Sequence, residues 1–286
     1  MTLLRLTRPL YLVLAALTYS LGVSIANYLG NPFNTNSFWL GLVAVLFAQL
    51  TMSLLSQVFR LDVEPLLENE TRTMRQRLRN SALYVSMASL AVIAFIAYLL
   101  FINDHLPLAS FFFLLLSLLL ILAYSLPALR NRGFVEFPLS VQLAYVFPSI
   151  GFILQAGETH SFLTLAIPLT FLALSYFVVM DFPSYATDRK FNRVTLLTQL
   201  GWERAIPLHH LFVLLAYILF AASPAFGISL SLIWRVFLTL PFALFQMIQL
   251  RNLSLGGPTN WTLLSVTALT TFGLTTYLLT LTFWLR

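Results

Sequence analysis

The sequence predicts an all-α integral membrane protein with nine transmembrane helices, and three observations carry that prediction. Of its 286 residues, 59% are hydrophobic and 9% charged, whereas soluble domains carry roughly 25% charged residues. Nine stretches reach the length of mostly apolar chain, about 20 residues, that a helix needs to cross a bilayer. Fourteen of the sixteen Lys and Arg lie before the first stretch or in loops after even-numbered stretches, which nine crossings put on one side.

The stretches cover 9–28, 37–59, 82–103, 107–127, 138–155, 161–181, 207–223, 228–250 and 261–284. The first follows Arg5 and Arg8. It is too long for the apolar region of a signal peptide and more spans follow, so it reads as a retained helix. The second is followed by Arg60, Arg72, Arg75, Arg77 and Arg79, and the fourth by Arg130 and Arg132. The fifth is short and holds Gln142 and Pro148. The sixth holds Pro168, and Arg189, Lys190, Arg193 and Arg204 follow it. The seventh opens at His209-His210. The eighth carries Pro241 and, about two turns inside, Arg235, which can snorkel to the headgroups. The prolines predict kinks. Loops 28–36 and 252–260 are rich in Asn, Gly and Thr and read as turns.

Orientation follows from the cations. Their asymmetry puts the N-terminus and basic loops in the cytoplasm and Arg286 outside, in a plasma or inner membrane. The net charge of +6 then reflects topology and requires no nucleic-acid partner. The chain has no cysteine, which excludes disulfides, thiolate nucleophiles and Cys-ligated metals. Its four histidines form no His-x-x-x-His or Glu-x-x-His pattern, so a transition-metal site is not expected. No second domain, tail or clear repeat emerges, and 1–286 reads as one polytopic domain.

The chemistry-bearing residues fall in three basic-side loops. Asp181 and Asp188 bracket the end of the sixth stretch in a chain with ten acidic residues, and ionisable groups at membrane depth mark function by default. Seven residues apart, they lie two turns apart on one helix face, with Ser184 between them. After the second stretch, Ser56, Arg60 and Glu64 recur every four residues up to the helix-ending Pro65, with Asp62, Glu68 and Glu70 nearby. After the fourth, Tyr124 precedes Arg130, Arg132 and Gly133, a set suited to an anion-binding turn.

The stretch Asp181-x-Pro183-x4-Asp188-Arg-Lys-x4-Thr195-Leu-x3-Leu200-Gly201-x-Glu203-Arg204-Ala205 resembles the second signature of the UbiA superfamily of intramembrane prenyltransferases. Tyr124-Ser-x-Pro127-x-Leu-Arg130-x-Arg132-Gly133-x-x-Glu136 is similar to that family's loop after its fourth helix. Ala48-Gln49, Ser56-Gln57-x-x-Arg60 and Arg72-Thr-Met-x-Gln occupy the places of its first signature and following loop. Leu4-Arg5-Leu-Thr-Arg8-Pro9 is similar to its entry sequence. The resemblance covers nearly the whole chain. It implies a bundle of nine helices around a central cavity that opens at the cytoplasmic rim.

The resemblance also implies a function: transfer of a prenyl group from a prenyl diphosphate to an aromatic or other lipophilic acceptor, such as a quinone, tetrapyrrole or lipid precursor. In the family, two aspartate-rich motifs hold Mg²⁺, which neutralises the leaving diphosphate. Carried over, Asp188 and Asp181 are the catalytic candidates. Arg60, Arg130, Arg132, Tyr124 and Lys190 are diphosphate-binding candidates, and Glu64 and Asp188 candidate Mg²⁺ ligands. The sequence departs from the family at Ser56, Gln57 and Arg60 in the first motif and at Ser184 in the second, where carboxylates or amides are usual. Arg60 opposes metal binding but can clasp phosphate oxygens bidentately. The alternative is a binding or assembly subunit for a prenylated quinone, pigment or lipid, with a protein partner.

Overall fold

Each apolar stretch must become a helix, because hydrocarbon offers no partner to a peptide N–H or C=O and a helix satisfies both within the segment. The structure, a computed structural model, describes residues 6–60, 66, 71–127 and 133–286, and has no strand among them. Nine helical segments among the described residues are long and apolar enough to cross a membrane. They are α1 (Pro9–Tyr28), α2 (Thr35–Val58), α3 (Arg72–Ile102), α4 (Leu108–Ser125), α5 (Glu136–Ala156), α6 (Ser161–Lys190), α7 (Trp202–Ala221), α8 (Leu230–Ser254) and α9 (Trp261–Trp284).

The ends differ from the hydropathy edges where helix continues into polar sequence. α3 starts at Arg72 rather than 82, because Thr71 caps it by accepting from the Met74 N–H (3.2 Å). Its arginines therefore extend a helix instead of forming a loop. α6 runs through Asp181 to Lys190, and α7 starts at Trp202 rather than 207. Hydropathy sees the membrane edge; the caps decide where the helix ends. Asn34 and Asn260 cap α2 and α9 in the same way.

The prolines act by changing helix type. In α5 a π turn, Gln142–Val146, precedes Pro148. Widening the helix there accommodates a residue that has no N–H and crowds the carbonyl four positions back. α6 and α8 contain 3₁₀ segments, Ser161–Leu165 and Trp234–Thr239, shortly before Pro168 and Pro241. A second π turn, Thr270–Leu274, interrupts α9. Arg235 of α8 donates to Thr282 Oγ1 (3.0 Å) and lies over Trp234.

Four helices make the centre: α1 packs on α5 and α9, and α6 packs on α5, α7 and α9. The α1–α5 crossing is nearly backbone on backbone. A Cβ on Gly22 would overlap the Pro148 carbonyl, and one on Gly151 the Tyr19 carbonyl. Small residues allow such an approach, which maximises dispersion contact where no hydrophobic effect drives helices together. Aromatic rings fill the middle. Tyr11 meets Phe177 edge-on (5.3 Å, 86°), and Tyr176 lies 5.8 Å from Phe272. Between α7, α8 and α9 a buried chain, Tyr217–Thr239–Thr275, links hydroxyls at 2.8 and 2.7 Å.

Gly22→Val therefore forces α1 from α5 and lowers stability by about 1–3 kcal/mol, the usual cost of overpacking. Gly273→Ala, whose Cβ would find side-chain contacts at 3.5 Å, changes it little. Thermal unfolding in detergent, followed by circular dichroism, compares the two.

Candidate functional site

At the basic end of the bundle, the start of α1, the end of α4, the start of α5 and the end of the long helical part of α6 converge on a polar pocket of about 30 Å³. Arg8, Tyr11, Tyr124, Glu136, Asp181, Arg193 and Thr195 contribute to its wall.

Arg8 precedes Pro9, the first residue of α1, and has a left-handed backbone (φ 51°). A side chain makes that conformation costly, and such strain gathers where surroundings over-determine a residue. Here Arg8 Nη1 donates to the Tyr124 hydroxyl (2.8 Å), and its guanidinium sits 5.4 Å from the centre of the Tyr11 ring. The neighbouring phenol oxygen of Tyr124 raises the Arg8 pKa further, and burial opposes it. Arg8 thus enters the pocket as a fixed cation hydrogen-bonded to the Tyr124 hydroxyl.

The opposite wall is acidic. Glu136, 4% exposed, opens α5 and accepts from the Leu196 N–H (2.9 Å). Leu196 begins a short helix, Leu196–Leu200, which Thr195 and Thr198 close with reciprocal cap bonds. A carboxylate suits that helix end, whose first N–H groups lack intrahelical partners. Glu136 therefore pins the loop after α6 onto α5. Its other carboxyl oxygen is buried without a hydrogen-bond partner, and Asp181 lines the same pocket. Gly133 (φ 79°) closes the same junction, since a Cβ there would overlap the Gln199 side chain.

Asp188 is held differently. The helix expected to carry both aspartates is interrupted between them by a 3₁₀ turn at Phe182–Ser184, containing Pro183. Asp181 lines the pocket, whereas Asp188 is 4% exposed and is not among the lining residues. Ser184 Oγ donates to Asp188 Oδ2 (2.7 Å), and Arg193 Nη1 pairs with Oδ1 (3.3 Å). Asn192, at φ 51°, reverses the chain after α6, and the Arg193 N–H bonds back to the Asp188 carbonyl (2.8 Å). Both carboxylate oxygens of Asp188 are thus engaged by residues at the end of α6 and in the loop that follows it.

Of the other expected residues, Tyr124 and Asp181 meet at the pocket. Ser56 and Gln57 are buried at the end of α2, where Ser56 Oγ donates to the Ser53 carbonyl (2.7 Å). α2 ends at Val58, so Arg60 lies beyond the helix and shares no helical face with Ser56. Its carbonyl accepts from the Arg79 guanidinium of α3. Lys190 is exposed and lies over Phe191 (5.6 Å). Neither Arg60 nor Lys190 is among the residues lining this pocket. Glu64, Arg130 and Arg132, with Asp62, Glu68 and Glu70, fall outside the described residues.

Sequence reasoning assigned no role to Arg8, Tyr11, Glu136 or Arg193. Glu136 carried a usable signal as an acid at the edge of an apolar stretch, and Arg8 as part of the Leu4-Arg5-Leu-Thr-Arg8-Pro9 entry sequence.

No family sequence model matches the chain, and no curated protein matches it by sequence. Solved structures do. A UbiA homologue from Archaeoglobus fulgidus bound to GPP and Mg²⁺ superimposes with a TM-score of 0.69 at 18% identity, over 100% of this chain and 99% of that one. The chain has the UbiA fold. An apo UbiA homologue from Aeropyrum pernix K1 gives 0.64 at 16% identity, covering 91% and 96% of the two chains. A digeranylgeranylglyceryl phosphate synthase gives 0.64 at 15%, covering 99% and 96%.

Of the two Mg²⁺ ligands expected within this UbiA fold, Glu64 lies outside the described residues, so only the Asp188 half of such a site is described. No three His, Asp or Glu side chains among the described residues cluster to hold a metal. A hard divalent ion needs several oxygen ligands of net negative charge, and both oxygens of Asp188 are engaged.

The Asp188–Arg193 pair makes a stability prediction. Asp188→Asn and Arg193→Gln each destabilise the fold, and the double variant loses less than their sum by about 1–2 kcal/mol, as expected for charged groups in contact. Thermal unfolding of the four proteins gives the coupling; additive losses would mean that the pair contributes nothing specific.

Proposed function

We propose that the chain is a divergent member of the UbiA superfamily that binds a prenyl diphosphate at the basic end of the bundle and transfers the prenyl group to a lipophilic acceptor. The observation that carries this reading is Arg8, a half-buried cation hydrogen-bonded to the Tyr124 hydroxyl in the wall of a polar pocket in an otherwise apolar bundle. A diphosphate supplies the anion, and its tail the match to the membrane. The likeness to structures bound to GPP and to DMAPP supports the choice of donor.

In this reading guanidinium groups meet the diphosphate, Arg8 first and Arg193 beside it, with hydrogen bonding from Tyr124. Arg groups hold phosphate oxygens by paired, charge-assisted bonds. The C–O bond breaks with its electron pair leaving on the diphosphate. The faces of Tyr11 and Phe177, next to Arg8, can stabilise the allylic cation. The acceptor's electron pair forms the new bond and its displaced proton goes to the carboxyl groups of Asp181 and Glu136. The acceptor class includes quinone, tetrapyrrole and lipid precursors. The basic end faces the cytoplasm by the charge asymmetry of the loops.

A second reading, a binding or assembly subunit without transfer, draws support from the engagement of Asp188 with Ser184 and Arg193. One titration separates the two. Binding of a non-cleavable geranyl thiodiphosphate to the detergent-purified protein is measured with and without Mg²⁺, for the wild type and for Arg8→Gln. Binding that needs no metal and weakens at least about tenfold in Arg8→Gln is expected, given the strength of hydrogen bonds to charged groups. Absence of binding would sink the transferase reading, and binding that requires Mg²⁺ would overturn the guanidinium assignment.

A further inference from the structure

Away from the rim, a second and larger cavity lies between α2, α3, α4 and α5, with a volume of about 250 Å³. It arises from how these helices pack. α2 lies along α3 and also against α4, while α3 and α4 share few close contacts. Near their connecting loop they come together, with Phe101 and Phe111 ring to ring at 6.5 Å. Small side chains widen the gap: Gly41 and Ala48 on α2, Ala94 and Ala97 on α3.

Its wall is aliphatic apart from Phe147 and two serines of α4, Ser110 and Ser117. No ionisable group lines it, so a charged ligand would find no counterion. The serines are seven residues apart, two turns along one face, and about 10 Å apart by helical rise. Ser110 is 2% exposed, and its Oγ has no hydrogen-bond partner. Ser117 Oγ accepts from the Gln142 side-chain amide at 2.6 Å, which leaves its own O–H to donate. Gln142 comes from the π turn of α5, is fully buried, and keeps its other amide atom unpartnered. Turning the amide over exchanges the donor and acceptor of this pair and still leaves one buried atom unsatisfied.

A plain hydrocarbon, whether an acyl chain or a bare prenyl tail, would fill this space and leave the Ser110 hydroxyl without a partner and the Ser117 O–H with nothing in the cavity to donate to. Buried polar groups without partners are costly, and ligand pockets place a few polar groups in an apolar wall to fix the orientation of what they bind. We infer that the α2–α5 cavity is a binding site for an uncharged, elongated lipophile carrying a carbonyl or hydroxyl oxygen, which Ser110 and Ser117 engage. Entry is sideways from the bilayer between α3 and α4, so the ligand need not pass through the rim pocket. The site goes beyond the prenyl-diphosphate reading and does not depend on it.

The test uses the full chain in lipid nanodiscs and two matched probes, farnesylacetone and the hydrocarbon of the same skeleton lacking the carbonyl. Competition against radiolabelled farnesylacetone gives both affinities. The ketone is expected to bind about tenfold tighter than the hydrocarbon, in line with one or two neutral hydrogen bonds. In Ser110→Ala/Ser117→Ala that preference disappears while hydrocarbon binding remains, and Ala97→Phe, which fills the cavity, removes binding of both. Equal affinities in the wild type overturn the proposal with no variant needed. A preference that survives the serine substitutions, or binding indifferent to Ala97→Phe, overturns it as well. The thiodiphosphate titration reads the rim pocket, so either result can fail while the other stands.

Discussion

The near-contact of two backbones at Gly22 and Gly151 fixes how the bundle can be arranged. With α1 pressed onto α5, α6 and α9 close the remaining sides, and the space among the four is wide enough for Tyr11, Phe177, Tyr176 and Phe272. Those rings carry packing from the middle of the membrane to the pocket wall, where Tyr11 and Phe177 belong to both. The same crossing sets α1's first residue beside the ends of α4 and α6. Only from there can Arg8 reach Tyr124. A loose crossing would separate the strained Arg8 backbone from the contacts that hold it in place.

At the basic end the protein manages charge internally. A carboxylate at membrane depth is costly unless it is paired or hydrogen-bonded. Asp188 is satisfied by Ser184 and Arg193, whereas Glu136 has one oxygen on the Leu196 N–H and the other buried without a partner. The serine at 184, where the resemblance sets a carboxylate, is coherent in this light. A serine at 184 supplies a hydroxyl to Asp188 where another carboxylate would add repulsion. The loop after α6 is consequently pinned at two points, to α5 through Glu136 and to itself through Arg193.

The nine helices were legible in the sequence because hydropathy and the alternation of basic loops reflect the same bilayer. Their ends were less so, since Thr71 acts through a local cap that an average over twenty residues does not register. The aspartate segment drew attention as it should, yet periodicity treated 181–190 as one uninterrupted helix and missed the 3₁₀ turn at Pro183. Arg60 was put on a helical face because no residue between Val58 and Pro65 signals the earlier end of α2. Arg193 looked like any other loop cation. Its partner is set by the left-handed turn at Asn192, which sequence pattern alone does not reveal.

The π turn in α5 has a consequence for how this molecule can change. One extra residue in a helical turn rotates everything beyond it by about 100° relative to a regular helix. Glu136 and Leu139, on one side of the turn, are thereby addressed to the polar pocket, and Gly151, on the other, to α1. The two halves of a single span answer to separate constraints, one chemical and one architectural. Lineages can therefore rework the pocket half of α5 without renegotiating the seam that holds the bundle together.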